Sequence, residues 1–419
     1  MSAPGAEPSG PTAVRVRPLI VVLAAGIFVT GFGWPGTIGR LPFSLLLKNQ
    51  LHMPAFKISA FWAIATIPWY LKPLFGLISD AYPLFGTRRR GYLLTGTIVA
   101  GIFWLAFTIV PRAYFPLLAL STLLNSAMAF VATVVGGFQI EIGQRYGATG
   151  RLASLREGLD GVMALGAGPV GGLLAVCAFG WTGLTGAFIL LSFVPVVALL
   201  FPEPRGARPD EKVWAAARHQ LKVIVRSRTM WSAAGLMFLV LLAPGFQAPV
   251  LFYQTDVLKL DPRFIGILEM LGGAGMLAGA AAYGFLCRRV SLRLLLVTGI
   301  ALNAGSTLLY LRYDTAFLAA IIDTTAGLVG TMAILPLYDL AARSIPAGNE
   351  SFGFALMMSV RNIAIFGISN PLGSKLYDDF HMGFKQLVWL NAGSTAVVLL
   401  FVPLLPAALL AAREQPRLA

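Results

Sequence analysis

Apolar runs of about 20 residues recur along this chain, and nothing constrains its fold more. An α-helix rises about 1.5 Å per residue, so each run can cross the roughly 30 Å hydrocarbon core of a bilayer. Twelve such runs are read: 18–47, 57–79, 92–110, 115–140, 153–177, 181–201, 231–255, 263–286, 292–311, 315–342, 351–375 and 384–411. They are too long for the alternating segments of an outer-membrane barrel, about ten residues each. Only 12% of residues are charged and mean hydropathy is +0.77, where a soluble chain carries about 25% charge. The sequence is that of a polytopic helical membrane protein. Its first run of 30 residues would measure about 45 Å if straight. A kink is expected at Trp34-Pro35-Gly36, because proline deletes a backbone hydrogen bond and glycine loosens the next turn.

Lysine and arginine set the orientation. With the N-terminus in the cytoplasm, 21 of the 32 basic residues fall on the cytoplasmic side and eight outside, while Arg40, Lys72 and Arg361 lie within spans. Such a bias favours both ends inside. It also accounts for the net charge of +14 without nucleic acid. Residues 1–17 and 412–419 read as cytoplasmic tails, the first disordered. Cys177 and Cys287 sit in different runs and imply no disulfide framework. His52, His219 and His381 are too dispersed for a metal site, and Leu271-Gly-Gly-Ala-Gly275 lacks the lysine of a phosphate-binding loop. No enzyme, cofactor or ATP-driven step is expected.

The longest loop, 202–230, separates six runs from six, giving an N-terminal bundle at 18–201 and a C-terminal one at 231–411. Within it, Val213, Trp214, Leu221 and Ile224 oppose Lys212, Arg218, Lys222 and Arg226, the pattern of a helix lying on the lipid surface. An offset of 207 residues lays Pro42…Leu51 over Pro249…Leu258 without a gap. Arg88–Arg90 is echoed near Arg288, Arg289 and Arg293. The expected fold is all-α, with twelve transmembrane helices in two pseudo-symmetric six-helix bundles, the plan of major facilitator transporters.

Three stretches carry a closer resemblance. One runs from Leu45-Leu-Leu-Lys-Asn-Gln-Leu51 through Ile67-Pro-Trp69, Lys72-Pro73-Leu-Phe-Gly76, Ser79-Asp80 and Pro83-Leu-Phe-Gly86 to Arg88-Arg-Arg90 and Tyr92. The others are Gly150-Arg-Leu-Ala-Ser154 after Glu141, and Pro346-Ala-Gly348-Asn-Glu350 with Phe354-Ala-Leu-Met-Met-Ser359-Val-Arg-Asn362. In these the chain resembles the folate–biopterin transporter family of the major facilitator superfamily. That family typically has two aspartates in the fourth span where this chain has Ala132 and Gly136, and a small residue where it has Arg361. A second resemblance, Gly166-Ala-Gly168-Pro169-Val-Gly171-Gly172, is to the glycine-proline motif of drug/proton antiporters, here one residue short. Its other reading is close helix packing.

A charge at mid-membrane depth costs about 2.5–3.5 kcal/mol on insertion scales unless it pairs or meets water. Six candidates for substrate binding or ion coupling follow: Asp323 and Arg361 near the midplane, Arg40 and Glu269 toward the outside, Lys72 and Asp160 toward the inside. Asn362 is a polar seventh. In one reading the cations attract an anionic group while Asp323 or Glu269 exchanges a proton. In the other these charges pair internally and orient helices. The function expected is secondary transport, by alternating access, of a small organic solute, pterin- or folate-like or otherwise carboxylate-bearing, coupled to protons. The alternatives are a drug/proton antiporter and a non-transporting assembly or pigment-delivery factor. The expected partners are that solute, a proton or other ion, and the lipid of a cell membrane, such as the bacterial inner membrane, with the chain a monomer. Asp80 with Arg88, Arg89 and Arg90 is the expected cytoplasmic gate.

Overall fold

The computed structural model describes residues 16–146, 149–210, 212–287, 289–346 and 350–406. Most of both expected tails, Arg288 and positions 347–349 of the third resemblance stretch lie outside the described residues. Within them every regular element is helical, apart from a lone bridge between Leu84 and Thr87. Eight helices are long and apolar enough to cross a bilayer unbroken. Lys212–Arg226 and Arg228–Leu241 make a ninth if taken together, but a 75° bend parts them. Lys212–Arg226 is the amphipathic segment of the long loop, with Ala217 and Ile224 buried. Runs one, two and seven are built from shorter pieces, Val16–Phe32 with Arg40–Leu45, Ala55–Ala65 with Ile67–Tyr70 and Lys72–Ala81, and Arg228–Leu241 with Gln247–Phe252, and run three is the single shorter helix Arg90–Ala106.

The kink expected at Trp34-Pro35-Gly36 is a complete break, spanning the residues between Phe32 and Arg40. Unwound backbone inside a membrane is tolerated only where other groups take up its carbonyls. Here the buried Trp104 indole donates to Gly33 O (3.0 Å) and Thr37 Oγ1 to Gly31 O (2.8 Å). The seventh run breaks in the same way before Gln247. Ser369 Oγ donates to Ala243 O (2.6 Å) and Asn391 Nδ2 to Pro244 O (2.9 Å), while Gly245 N–H donates to Ser369 O (2.9 Å).

The repeat extends into the irregularities. Arg40–Leu45 continues as a π-helical turn, Leu46–Gln50, and Gln247–Phe252 as another, Tyr253–Val257, both at the offset of 207. His52 and Lys259, also 207 apart, are both left-handed at φ 49° and 52°. Each thus closes its turn the same way before the next helix.

Two large apolar cores form. One runs from Leu19 to Phe201 and the other from Ile224 to Leu405. Leu41, Leu45, Leu251 and Ile265 form a small cluster where the halves meet. The closest approach between halves is of Thr149–Val176 against Pro262–Leu286. A Cβ on Gly168 would stand 2.2 Å from Gly266 O, and one on Gly273 2.7 Å from Ala164 O. Gly168 and Gly172, two of the four glycines read as an antiporter motif, therefore let two backbones touch.

Candidate functional site

A cavity of about 590 Å³ lies between the halves and is lined from both. The broken first run supplies Arg40 as the first residue of its second piece, and the eighth supplies Glu269. These two form an ion pair across the halves, with side chains 34% and 24% exposed. The pair is therefore neither fully desolvated nor free. A second carboxylate, Asp323, also faces this cavity from Ala316–Ser344. Tyr310 Oη donates to one of its oxygens and Tyr313 Oη to the other, both at 2.7 Å. Gln254 Nε2 in turn donates to Tyr313 Oη at 2.7 Å. Trp62, Tyr310 and Phe366 add aromatic wall, and Gln247 and Asn370, hydrogen-bonded to each other, add amides.

Arg361 is not Asp323's partner. Its Nη1 donates to Asn362 Oδ1 at 3.0 Å, and neither residue lines the cavity. Similar depth thus does not bring Asp323 and Arg361 into one site. Depth follows from counting residues along a helix, but helix rotation decides which way a side chain faces, at about 100° per residue.

Lys72 and Asp160 line a second cavity of about 320 Å³, together with Arg156. The Lys72 ammonium stands 4.7 Å from the centre of the Trp69 ring, and Arg156 Nη1 donates to Gln139 Oε1 at 3.0 Å. Ala132 lines this cavity, and a side chain on Gly136 would meet nothing within 4 Å. The two positions where the resembled family has aspartates thus adjoin open space, and Asp160 is the acid that faces it here. The six candidate charges divide between two cavities and the helix Glu350–Asn362, whose Arg361 lines neither.

At the end of the second run, Arg89 Nη2 pairs with Asp80 at 2.8 Å and Arg89 Nε lies 3.7 Å from Glu141. The guanidinium lies over Gly137, where a Cβ would crowd it at 3.0 Å. Glu203, from just after the sixth run, accepts backbone N–H bonds from Arg88, Arg89 and Arg90 at 2.8, 3.1 and 2.7 Å. All these partners belong to the first half or to the first residues of the loop that follows it. At the opposite end the halves meet directly: Lys48 pairs with Asp256, Phe56 N–H donates to Asp378 (2.6 Å), and the Ser59 and Ser374 hydroxyls bond (2.6 Å).

Sequence reading missed Tyr310, Tyr313 and Gln254. Tyr310 lies in the short helical turn Leu308–Arg312 that ends the ninth run and Tyr313 just after it, where no periodicity marks a facing. Arg156, one of the basic residues counted on the cytoplasmic side, lines the second cavity.

Two apolar helical cores meeting around a largely apolar cavity that holds a few charged and polar groups define a membrane transporter of the major facilitator architecture. Solved structures agree on the fold. A POT family transporter in complex with 5-aminolevulinic acid matches with a TM-score of 0.75 at 13% identity, over 94% of this chain and 96% of that one. A D-xylose–proton symporter matches at 0.68 and 12%, over 93% and 97%. The particular family follows from sequence. The BT1 family profile matches residues 33–415, and the chain belongs to the BT1 family. The folate-biopterin transporter of Synechocystis sp. is 29% identical over 399 residues, 88% of this chain and 78% of that protein. Folate transporter 2 of Plasmodium falciparum is 22% identical, over 88% of this chain and 84% of its own length. The chain is a multi-pass membrane transporter of a small solute.

Proposed function

We propose that this chain is a proton-coupled secondary transporter of a small organic solute bearing a carboxylate or a pterin-like heterocycle, working by alternating access of the 18–201 and 231–411 bundles. The observation that carries this is the cavity between the halves, where Arg40 of one bundle is held by Glu269 of the other beside a second carboxylate. A volume of about 590 Å³ suits a small organic ligand. A solute carboxylate competes with Glu269 for the Arg40 guanidinium, which presents a fork of donors. Displaced, Glu269 no longer ties the halves together. Asp323 accepts from a tyrosine on each oxygen. Taking up a proton turns one of those accepted bonds into a donated one, so protonation forces the tyrosine pair to rearrange. The names of the relatives favour a pterin or folate among carboxylate-bearing solutes. The basic-residue bias supports both termini inside the cell, and a cell membrane such as the bacterial inner membrane is the proposed location. The Asp80–Arg89–Glu141 cluster acts as the cytoplasmic gate by fixing the 82–90 turn within its own half.

Purified protein in liposomes tests this with a panel of pterins, folates and organic acids under an imposed proton gradient. Accumulation of one of them, with Asp323→Asn abolishing uphill uptake but keeping exchange, is the expected result. Uphill uptake undiminished in Asp323→Asn removes Asp323 from coupling, and no flux for any panel member refutes the substrate class.

A further inference from the structure

The two cavities are lined in common by Trp34, Thr37 and Ala164, and an aromatic group stands between them. Trp34 and Trp69 lie 5.1 Å apart, and Phe366 of the second half packs edge-on against Trp34 at 6.3 Å. The break in the first run leaves Trp34 outside any helix, so no helical backbone fixes it. What fixes it is Asn125, on Tyr114–Arg145, which is 0% exposed. Its Oδ1 accepts the indole N–H of Trp34 and that of Trp69, both at 2.8 Å, while Nδ2 donates to Ser121 O at 2.8 Å. Only the oxygen of an amide can accept from two donors, so its orientation is chemically determined. Both lone pairs are then used, and losing either indole leaves a buried acceptor short of a partner.

We infer that Asn125 is a positioning residue for transport: one amide oxygen holds Trp34 and Trp69 together as a partition that Phe366 completes, barring passage between the cavity of Arg40 and the cavity of Lys72. A solute moving from one cavity to the other must part Phe366 from Trp34, a contact between halves, while the two tryptophans stay joined to the first half by Asn125. The partition therefore opens by separation of the halves rather than by side-chain fluctuation. This rests on the proposed passage of solute between halves, but its test needs no solute.

The probe is a single cysteine replacing Ala326, which lines the Arg40 cavity, in a background with Cys177→Ser and Cys287→Ser. A membrane-impermeant, negatively charged thiol reagent is applied to vesicles from the side of Arg88–Arg90. Asn125→Leu is expected to speed labelling, since two hydrogen bonds hold the partition closed by a factor on the order of tenfold to a hundredfold. Asn125→Asp, which keeps an acceptor oxygen for both indoles, labels at the parent rate. Should Asn125→Leu fail to fold, Trp34→Phe with Trp69→Phe removes the same two bonds while keeping the rings, and the same acceleration is expected. Slow labelling in both, alongside fast labelling in Trp34→Ala, would show a partition that Asn125 does not hold. Slow labelling in all of them overturns the partition itself.

Discussion

Asp323 is useful because of what surrounds it. A carboxylate with two phenolic donors and a third group behind one of them is a small network, and such networks fail unevenly when one member is removed. Tyr313 is fully buried. Tyr313→Phe leaves Asp323 Oδ2 and Gln254 Nε2 both without this partner, and a buried polar group left unpaired costs about 1–3 kcal/mol. A fall of several degrees in the thermal midpoint is expected, larger than for Tyr310→Phe, which orphans one oxygen only. Equal midpoints for the two variants would show that Gln254 contributes nothing. The Arg40–Glu269 pair behaves differently, because both side chains keep about a quarter or more of their exposure. Arg40→Met is expected to reduce solute affinity at least tenfold with little loss of stability, and Glu269→Gln to raise it by releasing the guanidinium. Titrations of solute binding on the two variants check both directions.

Among the elements, the glycine-rich crossing of Thr149–Val176 with Pro262–Leu286 has the least room. Gly168→Val places three heavy atoms where one already meets Gly266 O at 2.2 Å, and overpacking of this kind costs about 1–3 kcal/mol. Lower yield of folded protein is expected from Gly168→Val, against near-normal yield from Gly158→Ala, whose Cβ meets nothing within 4 Å; size-exclusion profiles in detergent compare them. Glu203 offers a second contrast. By accepting three N–H bonds at the start of Arg90–Ala106 it does the work of a helix cap from 113 to 115 residues away, and losing a cap costs about 0.5–2 kcal/mol. Glu203→Ala should lower the midpoint by a few degrees and Glu203→Gln by less. The apolar runs and the amphipathic stretch at 212–226 were readable because periodicity and hydropathy are local properties. The role of Glu203 was not, since it joins an acid to a turn more than a hundred residues earlier. Nor was the split of Arg361 from Asp323, because facing is set by packing between helices rather than by position along one.

Across the whole molecule, the end opposite the arginine turn is held shut by pairs between the halves. Lys48–Asp256 is partly exposed at its acid, and pairs of that kind contribute about 0–1 kcal/mol, so Lys48→Ala alone shifts the conformational balance less than about fivefold. Asp378 matters more, because it accepts the N–H of Phe56 in the first turn of the second run and so caps a helix of the other half. Asp378→Ala is expected to open this end severalfold further than Lys48→Ala, read as the distance distribution between spin labels on opposite halves. Identical distributions would remove Asp378 from the closure. The matched breaks and π-helical turns bear on something other than closure. Irregularities that recur at one offset, down to the left-handed residues His52 and Lys259, point to a single ancestral half that already carried them before it was doubled. Arg40 and Gln247 occupy the same place in the two copies, so the copies have diverged at the very residue that meets Glu269. The scaffold is what the copies share, and the charge in the cavity is where they part.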